Sequence, residues 1–521
     1  MAKVYIDPVT RIEGHLSVEM DVQDGKVVDA KFRGDMFRGY ETIMQGRNPV
    51  DANQIVQRIC GVCPVSHGLA SSKCLDDAFG IKPNRNGRIL RNLVLAANFI
   101  QSHILHFYHL NALDFVDITS ILKYKGSDEG MLRIKKWADN ELKIKNGRID
   151  QITAVGPFLP RYEGDFYVKD TDTNLDLIAG YVKALDLRQK LHQMVAVFGG
   201  RAPHLIGLVP GGITTVPTKD RIKLYRDTLE EVEEFINGVW GHHVVAVAKA
   251  FPEYFKLGKY ENFLSYGAFD QDTEGKKFTF DRGVVAGDRK LDFSTDVITE
   301  NVKYARYRDS EDLHPYKGET VPDPEKKDAY TWIKAPRYNG LPMETGPLAR
   351  VVIGYMNGTG GVKVELDKIL RQFNAELPTA YSANGRHISR FIESKILVKE
   401  MYKWLEELDV DGKPRNSYSI PDEARGEGLC EAPRGALGHW IVIKNKVIEN
   451  YQCVVPTTWY CSPRDGKGVP GPAEQALIGT PVSDPKNPIE AARVIRSMDP
   501  CLACAIHVVE GDREIGKFKV C

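Results

Sequence analysis

Two short stretches carry soft metal ligands. "RICGVCPVSH" (Arg58 to His67) and "DPCLACAIH" (Asp499 to His507) each set two cysteines three positions apart, with a histidine a few residues on. On a tight turn that spacing lets both sulfurs converge on one ion, and Gly61 gives the first turn its room. Cys60, Cys63, Cys501 and Cys504 together make a soft four-thiolate set, suited to zinc, an iron–sulfur cluster or nickel. Spacing alone leaves structural zinc the plainest of the three. Three features weigh against it. A structural zinc fastens a short segment, whereas these pairs stand near opposite ends of a 521-residue chain. Each pair sits beside groups with no such role: Arg58, His67, Asp499 and His507. The polar runs "DPVTRIEGH" and "EAPRGALGHW" lie amid apolar strands, as groups that orient ligands or handle protons would.

What lies between must bring the ligands together. Residues 1 to about 80 alternate as strands in "VYIDPVTRIEGHLSVEMDV" and "KVVDAKFRG" before the first cysteine pair. The most apolar long stretch, Ile89 to Val116, is long enough for a bilayer but holds Arg91, Asn92, Asn98, His103, His106 and His109. It reads as a helix buried inside a large protein. Residues 124–172 are charged and show no period. A helix is expected from an Asn174 cap to Gly199-Gly200, a second from Lys219 through Trp240, and a third from His387 to Leu408. Polar residues 255–345 read as a surface insertion. Strands and a short helix precede the second cysteine pair. No linker or repeat divides the chain. If the two motifs share an ion, residues 1–521 close on themselves as one unit. The fold class expected is α+β, a central bundle of long buried helices with small sheets at its edges.

Composition narrows the partners. Lys+Arg and Asp+Glu balance at 70 each, leaving no net field for nucleic acid or an anionic membrane. Nine cysteines, an odd number in a long chain, argue against a disulfide framework. Cys74 and Cys461 have no assigned role and read as buried structural thiols. "GYMNGTGG" lacks the G-K-[ST] ending of a phosphate loop. The N-terminus has no basic segment followed by an apolar one, so no signal peptide is expected on this chain.

With these motifs the chain resembles the large, catalytic subunit of nickel–iron hydrogenases. The resemblance runs through "DPVTRIEGH", "RGYETIMQGR", "RICGVCPVSH", "HILHFYHLNALDF", "GGRAPH", "CEAPRGALGHW", "NYQCVVPTTW", "GPAEQALIGTPV" and "DPCLACAIH". It is nearest the respiratory or uptake branch and the nickel–iron–selenium branch. The resemblance implies the hydrogenase large-subunit fold and reversible oxidation of H2 to protons and electrons. Cys60 and Cys501 would be terminal nickel ligands. Cys63 and Cys504 would bridge nickel to an iron carrying carbonyl and cyanide ligands. Cys501 stands where the selenium-containing relatives have selenocysteine.

The same resemblance makes Glu13 a proton gate and sets the Arg434 guanidinium over the open metal position. The alternatives from the residues alone are a Glu13–Arg11 ion pair and an ordinary salt-bridge arginine. Pro433 and Thr457 would line the pocket of the diatomic ligands, Thr457 offering its hydroxyl proton to a cyanide. His67 would hydrogen-bond a cysteine sulfur, and His204 would face a partner's nearest iron–sulfur cluster. Glu41, the Cys453 carbonyl and His507 match a second site for magnesium or iron.

Three positions depart from the family pattern. Many relatives have Asp at Ser102, where it would pair with the arginine, His at Ala202, and Asn at Tyr460. The chain has no cysteine set for a second cluster, so an iron–sulfur small subunit is the expected electron partner. That subunit would carry the enzyme to the periplasm or to a membrane, with a cytoplasmic location as the alternative. In the family a maturation endopeptidase cuts after the last motif's histidine; here that is after His507, removing 508–521. A hydrogen-sensing subunit would share the site, but such sensors lack a C-terminal tail. A non-catalytic quinone-complex subunit would lack the four thiolates.

Overall fold

Strands Ala2–Ile6, Leu16–Gln23 and Lys26–Gly34 form an antiparallel meander at one edge of the molecule. Alternation sets its buried face: Leu16, Val18, Met20 and Val22 point inward along the central strand. The turn Asp7–His15 leaves this sheet and carries "RIEGH" toward the other end of the chain. The computed structural model describes residues 2–145, 148–150, 158, 161 and 164–505.

The first cysteine motif opens the helix Pro64–Ala78, which begins directly after Cys63 with proline in its first turn. Proline is favoured there because that N–H has no intrahelical partner to lose. This helix lies against a C-terminal meander of Glu423–Ala432, Gly435–Lys444 and Val447–Val454. The approach is so close that a Cβ on Gly428 would stand 2.0 Å from the Ala70 carbonyl. The first motif is thereby fixed on the sheet that also presents Arg434.

The apolar stretch from Ile89 is interior. Helix Arg85–Ile104 is capped by the Asn84 side chain, and nearly all its residues are buried. The helix does not run unbroken to Val116. It widens into a π turn over Leu105–Asn111, where the Asn111 side chain donates to the His106 carbonyl. Thr171–Gly199, Lys219–Phe235 and Ala383–Glu407 complete the long helices. The first of these starts before the expected Asn174, because the Asp170 carboxylate caps the Thr173 N–H. Asn174 instead turns inward and ties Val168 and Asp117 to the helix. A helix not foreseen, Glu129–Glu141, is capped by Asp128.

Residues 255–345 are not simply a surface insertion. Strand Asn262–Asp270 is buried along seven of its nine positions, and Ala335–Tyr338 is buried throughout. Both faces of these strands are covered, so the outward polar alternation that marks a surface strand is missing. Their interior charges are paired: Arg386 with Glu344 at 2.7 Å and Arg337 with Asp465 at 2.9 Å. One continuous apolar core extends from Val4 to Cys504. Among the described residues no helix is long and apolar enough to cross a membrane.

Candidate metal centre

The two ends of the chain meet at the turn that carries Glu13. Its N–H donates to the Pro500 carbonyl at 3.3 Å, and the Leu502 N–H returns a bond to the Glu13 carbonyl at 2.8 Å. Gly14 makes this contact possible. Its φ is +80°, and a Cβ there would lie 2.7 Å from the Leu502 Cβ and 2.8 Å from the Ala503 nitrogen. Arg38 clamps the same junction, donating to the Ala503 carbonyl at 2.6 Å and to the Ile59 carbonyl. One guanidinium thus holds both cysteine arms.

The Sγ atoms of Cys60, Cys63, Cys501 and Cys504 all lie within 4.8 Å of one another, and all four residues are buried. Cys60 and Cys501 are 3.4 Å apart, Cys63 and Cys504 3.3 Å, and Cys501 and Cys504 3.0 Å. Hydrogen bonds from Cys501, Cys504 and Cys63 hold the Cys60 thiol well below its ordinary pKa. Burial pushes Cys501 and Cys504 well above theirs. Without cations this pocket tolerates only a minority of its sulfurs as thiolates, because so many buried negative charges repel strongly. A soft metal centre inverts that balance by deprotonating its thiol ligands. The donor set fits one.

The groups around the sulfurs are held in particular orientations. The Glu13 carboxylate accepts from Cys501 Sγ at 3.2 Å and from the Ala503 N–H at 2.9 Å. Burial raises its pKa, and negative charge at Cys60 adds to the effect. It does not pair with Arg11, whose guanidinium goes to Asp114 and the Leu110 carbonyl. Glu13 is partly buried while Gly14 and His15 beside it are exposed, so the carboxylate lies between the sulfurs and an exposed turn. His67 Nε2 lies 3.4 Å from Cys504 Sγ, and its Nδ1 lies 3.2 Å from His439 Nε2. His439 Nδ1 is in turn 2.8 Å from the Tyr451 hydroxyl. Burial lowers the His67 pKa to about 4, so it is neutral. With Cys504 as a metal-bound thiolate, which only accepts, the neutral chain runs one way: Tyr451 donates to His439, His439 to His67, and His67 to the sulfur.

Arg434 reaches the site from the C-terminal meander. Nη2 donates to Asp499 Oδ1 at 2.8 Å, Nε to the Asp499 carbonyl at 3.0 Å, and Nη1 to Ser102 Oγ at 3.3 Å. The buried Arg350 holds the neighbouring Pro433 carbonyl at 3.0 Å and is itself paired with Glu393 and Glu431. The Thr457 hydroxyl accepts the Cys501 N–H at 3.0 Å.

Glu41 and Cys453 also come together: the Cys453 N–H donates to Glu41 Oε1 at 3.1 Å. Lys334 lies 3.5 Å from Glu41 and 3.2 Å from Glu300, so two buried carboxylates share one ammonium. Glu300 Oε1 is buried without a hydrogen-bond partner, which suits a cation nearby. His507 and the tail 508–521 lie outside the described residues.

Sequence reasoning missed Arg38, His439, Tyr451, Lys334 and Glu300. His439 falls inside the polar run "EAPRGALGHW" and Arg38 opens "RGYETIMQGR", so their place in those motifs was the available signal. Lys334 and Glu300 sit in the segment taken for a surface insertion.

Comparison with known proteins agrees across the chain. The family model described as nickel-dependent hydrogenase matches residues 38–507, and one described as HoxL-like matches 3–33. The chain is 41% identical to the periplasmic [NiFeSe] hydrogenase large subunit of Desulfomicrobium baculatum, covering 98% of this chain and 96% of that one. It is 34% identical to the hydrogenase-2 large chain of Escherichia coli K12, covering 99% of each. The H2-activated Dm. baculatum [NiFeSe] hydrogenase structure superposes with a TM-score of 0.86 at 42% identity, covering 97% of this chain and 100% of that chain.

Proposed function

This chain belongs to the nickel-dependent hydrogenase family as a large subunit, and from that premise we propose that it oxidises H2 reversibly at a nickel–iron centre held by Cys60, Cys63, Cys501 and Cys504. The observation that carries the reading is the convergence of four buried sulfurs from the two ends of the chain. Cys60 and Cys501 would be terminal ligands and Cys63 and Cys504 bridging ones, with carbonyl and cyanide completing the iron. When bound, the pair of metals supplies the Lewis acidity and the redox capacity to part H2 into protons and electrons.

The chain's own residues manage protons and position. Cys501 Sγ takes up a proton and passes it to Glu13 Oε2, 3.2 Å away, on a turn whose next two residues are exposed. A carboxyl whose pKa burial has raised is matched to that exchange. Arg434 holds a permanent positive charge beside the sulfurs; against the opposing effect of burial, the Asp499 carboxylate first, and then Cys501, Cys63 and Cys60, keep it protonated. His67 donates to Cys504 and moderates its electron density. Glu41, the Cys453 carbonyl and His507 would hold a magnesium or iron ion at the second site.

Two electrons leave for each H2, and an iron–sulfur small subunit receives them. Relatives named periplasmic and quinone-reactive support export with that subunit. A maturation endopeptidase would cut after His507 once nickel is in place. The test is the purified heterodimer. It should contain nickel and iron and reduce an artificial acceptor under H2, and a Cys504→Ser variant should lose both metals and activity. Retention of nickel and turnover in that variant would remove the four-sulfur centre.

A further inference from the structure

Position 460, where this chain has tyrosine, sits inside the metal centre's hydrogen-bond frame. The Tyr460 side chain is buried, and its hydroxyl has two neighbours: the Asp499 carbonyl at 3.0 Å and Thr457 Oγ1 at 2.9 Å. Thr457 is also buried, and its oxygen accepts the Cys501 N–H. When all three contacts are made as hydrogen bonds, counting protons sets their directions. A carbonyl only accepts, so the single Tyr460 proton goes to Asp499. Tyr460 then has only an acceptor to offer Thr457, and the single Thr457 proton must point at Tyr460. The chain runs Cys501 N–H to Thr457, Thr457 O–H to Tyr460, and Tyr460 O–H to the Asp499 carbonyl.

We infer that Tyr460 is a positioning residue that commits the Thr457 hydroxyl proton, so that Thr457 presents the iron's diatomic ligands with a lone pair and not a donor. This revises the role that resemblance gives to Thr457, and it rests on the nickel–iron reading proposed above. Tyr460 also makes the second bond to the Asp499 carbonyl, whose other donor is Arg434 Nε. Asp499 has φ of +63°, a conformation that non-glycine residues leave readily unless held. One phenol therefore couples the Cys501 loop to the residue that anchors Arg434.

The test reads the infrared stretching bands of the carbonyl and cyanide ligands in nickel-loaded heterodimer. Tyr460→Phe keeps the ring and frees the Thr457 proton, so one cyanide band is expected to shift. Placed on a Thr457→Val background, the same Phe change has no proton to free and should shift no band. Fluorotyrosine at 460 weakens the phenol as an acceptor while leaving the fold alone, and should move the band in the same direction by less. Bands unmoved by Phe and by fluorotyrosine, or moved equally with and without the Thr457 hydroxyl, would overturn the inference. Absence of any diatomic-ligand bands would overturn the functional reading, and this inference with it.

Discussion

Asp499 grips Arg434 with two different groups: its carboxylate accepts from Nη2 at 2.8 Å and its backbone carbonyl accepts from Nε at 3.0 Å. This answers the question raised by Ser102, which replaces the expected aspartate and contributes only a 3.3 Å contact to Nη1. The anchor comes from the residue two before Cys501, so the guanidinium and the second cysteine pair are set by one turn. An ammonium has no planar fork with which to make both bonds. Arg434→Lys is therefore expected to lower H2 turnover by roughly two orders of magnitude or more while nickel and iron contents hold. Full activity in the Lys variant would mean that the open metal position is organised by other groups.

Glu13 sits where sulfur chemistry gives way to solvent. Its carboxylate touches Cys501 Sγ and the Ala503 N–H, while the residues after it are exposed. Glu13→Gln preserves shape and can accept the Ala503 bond, but it carries no exchangeable acid proton near neutral pH. H2 uptake and evolution are expected to fall by about 10²-fold or more, the scale of a lost general acid or base. Metal content and the thermal midpoint should be unchanged. Wild-type rates in the Gln variant would send the proton by another route.

The site was more legible than the scaffold, for a physical reason. Metal ligation needs particular side chains at fixed short spacing, so Cys60, Cys63, Cys501 and Cys504 could be read locally, and the structure unites them. The long helix from Ile89 was readable because burial on all sides leaves a long stretch dominated by apolar residues. The strands of 255–345 were not, because their burial depends on distant partners such as Glu431, which accepts the Tyr266 N–H at 2.7 Å. Helix Glu129–Glu141 was missed because its charged residues mask its period. Arg38 and Tyr460 illustrate the remaining gap: each acts on backbone carbonyls, and a carbonyl leaves no mark in sequence.

Glu474 offers a stability test away from the metals. It is buried, accepts the Phe32 N–H at 3.2 Å and the Tyr330 hydroxyl at 2.7 Å, and has one oxygen without a partner. Burial raises its pKa from 4.5 to about 7. The folded state therefore holds this proton more tightly than the unfolded one. Its stabilising effect is complete below about pH 4.5 and is lost as pH rises through about 7. Glu474→Gln keeps an acceptor for both bonds and cannot ionise. The variant should match wild type near pH 4 and exceed it by roughly 3 kcal/mol at pH 8, from the size of that shift. Chemical denaturation of the two proteins across this range measures it, and parallel curves would show that the carboxyl is not buried as described.

Fourteen residues, 508–521, follow the last histidine. Glu510, Asp512, Arg513, Glu514, Lys517 and Lys519 make this tail costly to bury. The second cysteine arm, by contrast, is locked by the Glu13 bridge, by Arg38 and by the Thr457 bond to Cys501. An arm that must admit nickel and iron has to be released from these bonds while the metals enter, and an extension that resists burial would favour that release. Removal after His507 would then free the new terminus to turn inward toward Glu41 and Cys453. Intact mass spectrometry of nickel-loaded, H2-oxidising protein should find a large subunit ending at His507, while protein made without nickel should retain Cys521. A chain engineered to end at His507 from the start should close early and acquire little nickel. An active, nickel-loaded enzyme that still carries the whole tail would overturn the maturation scheme.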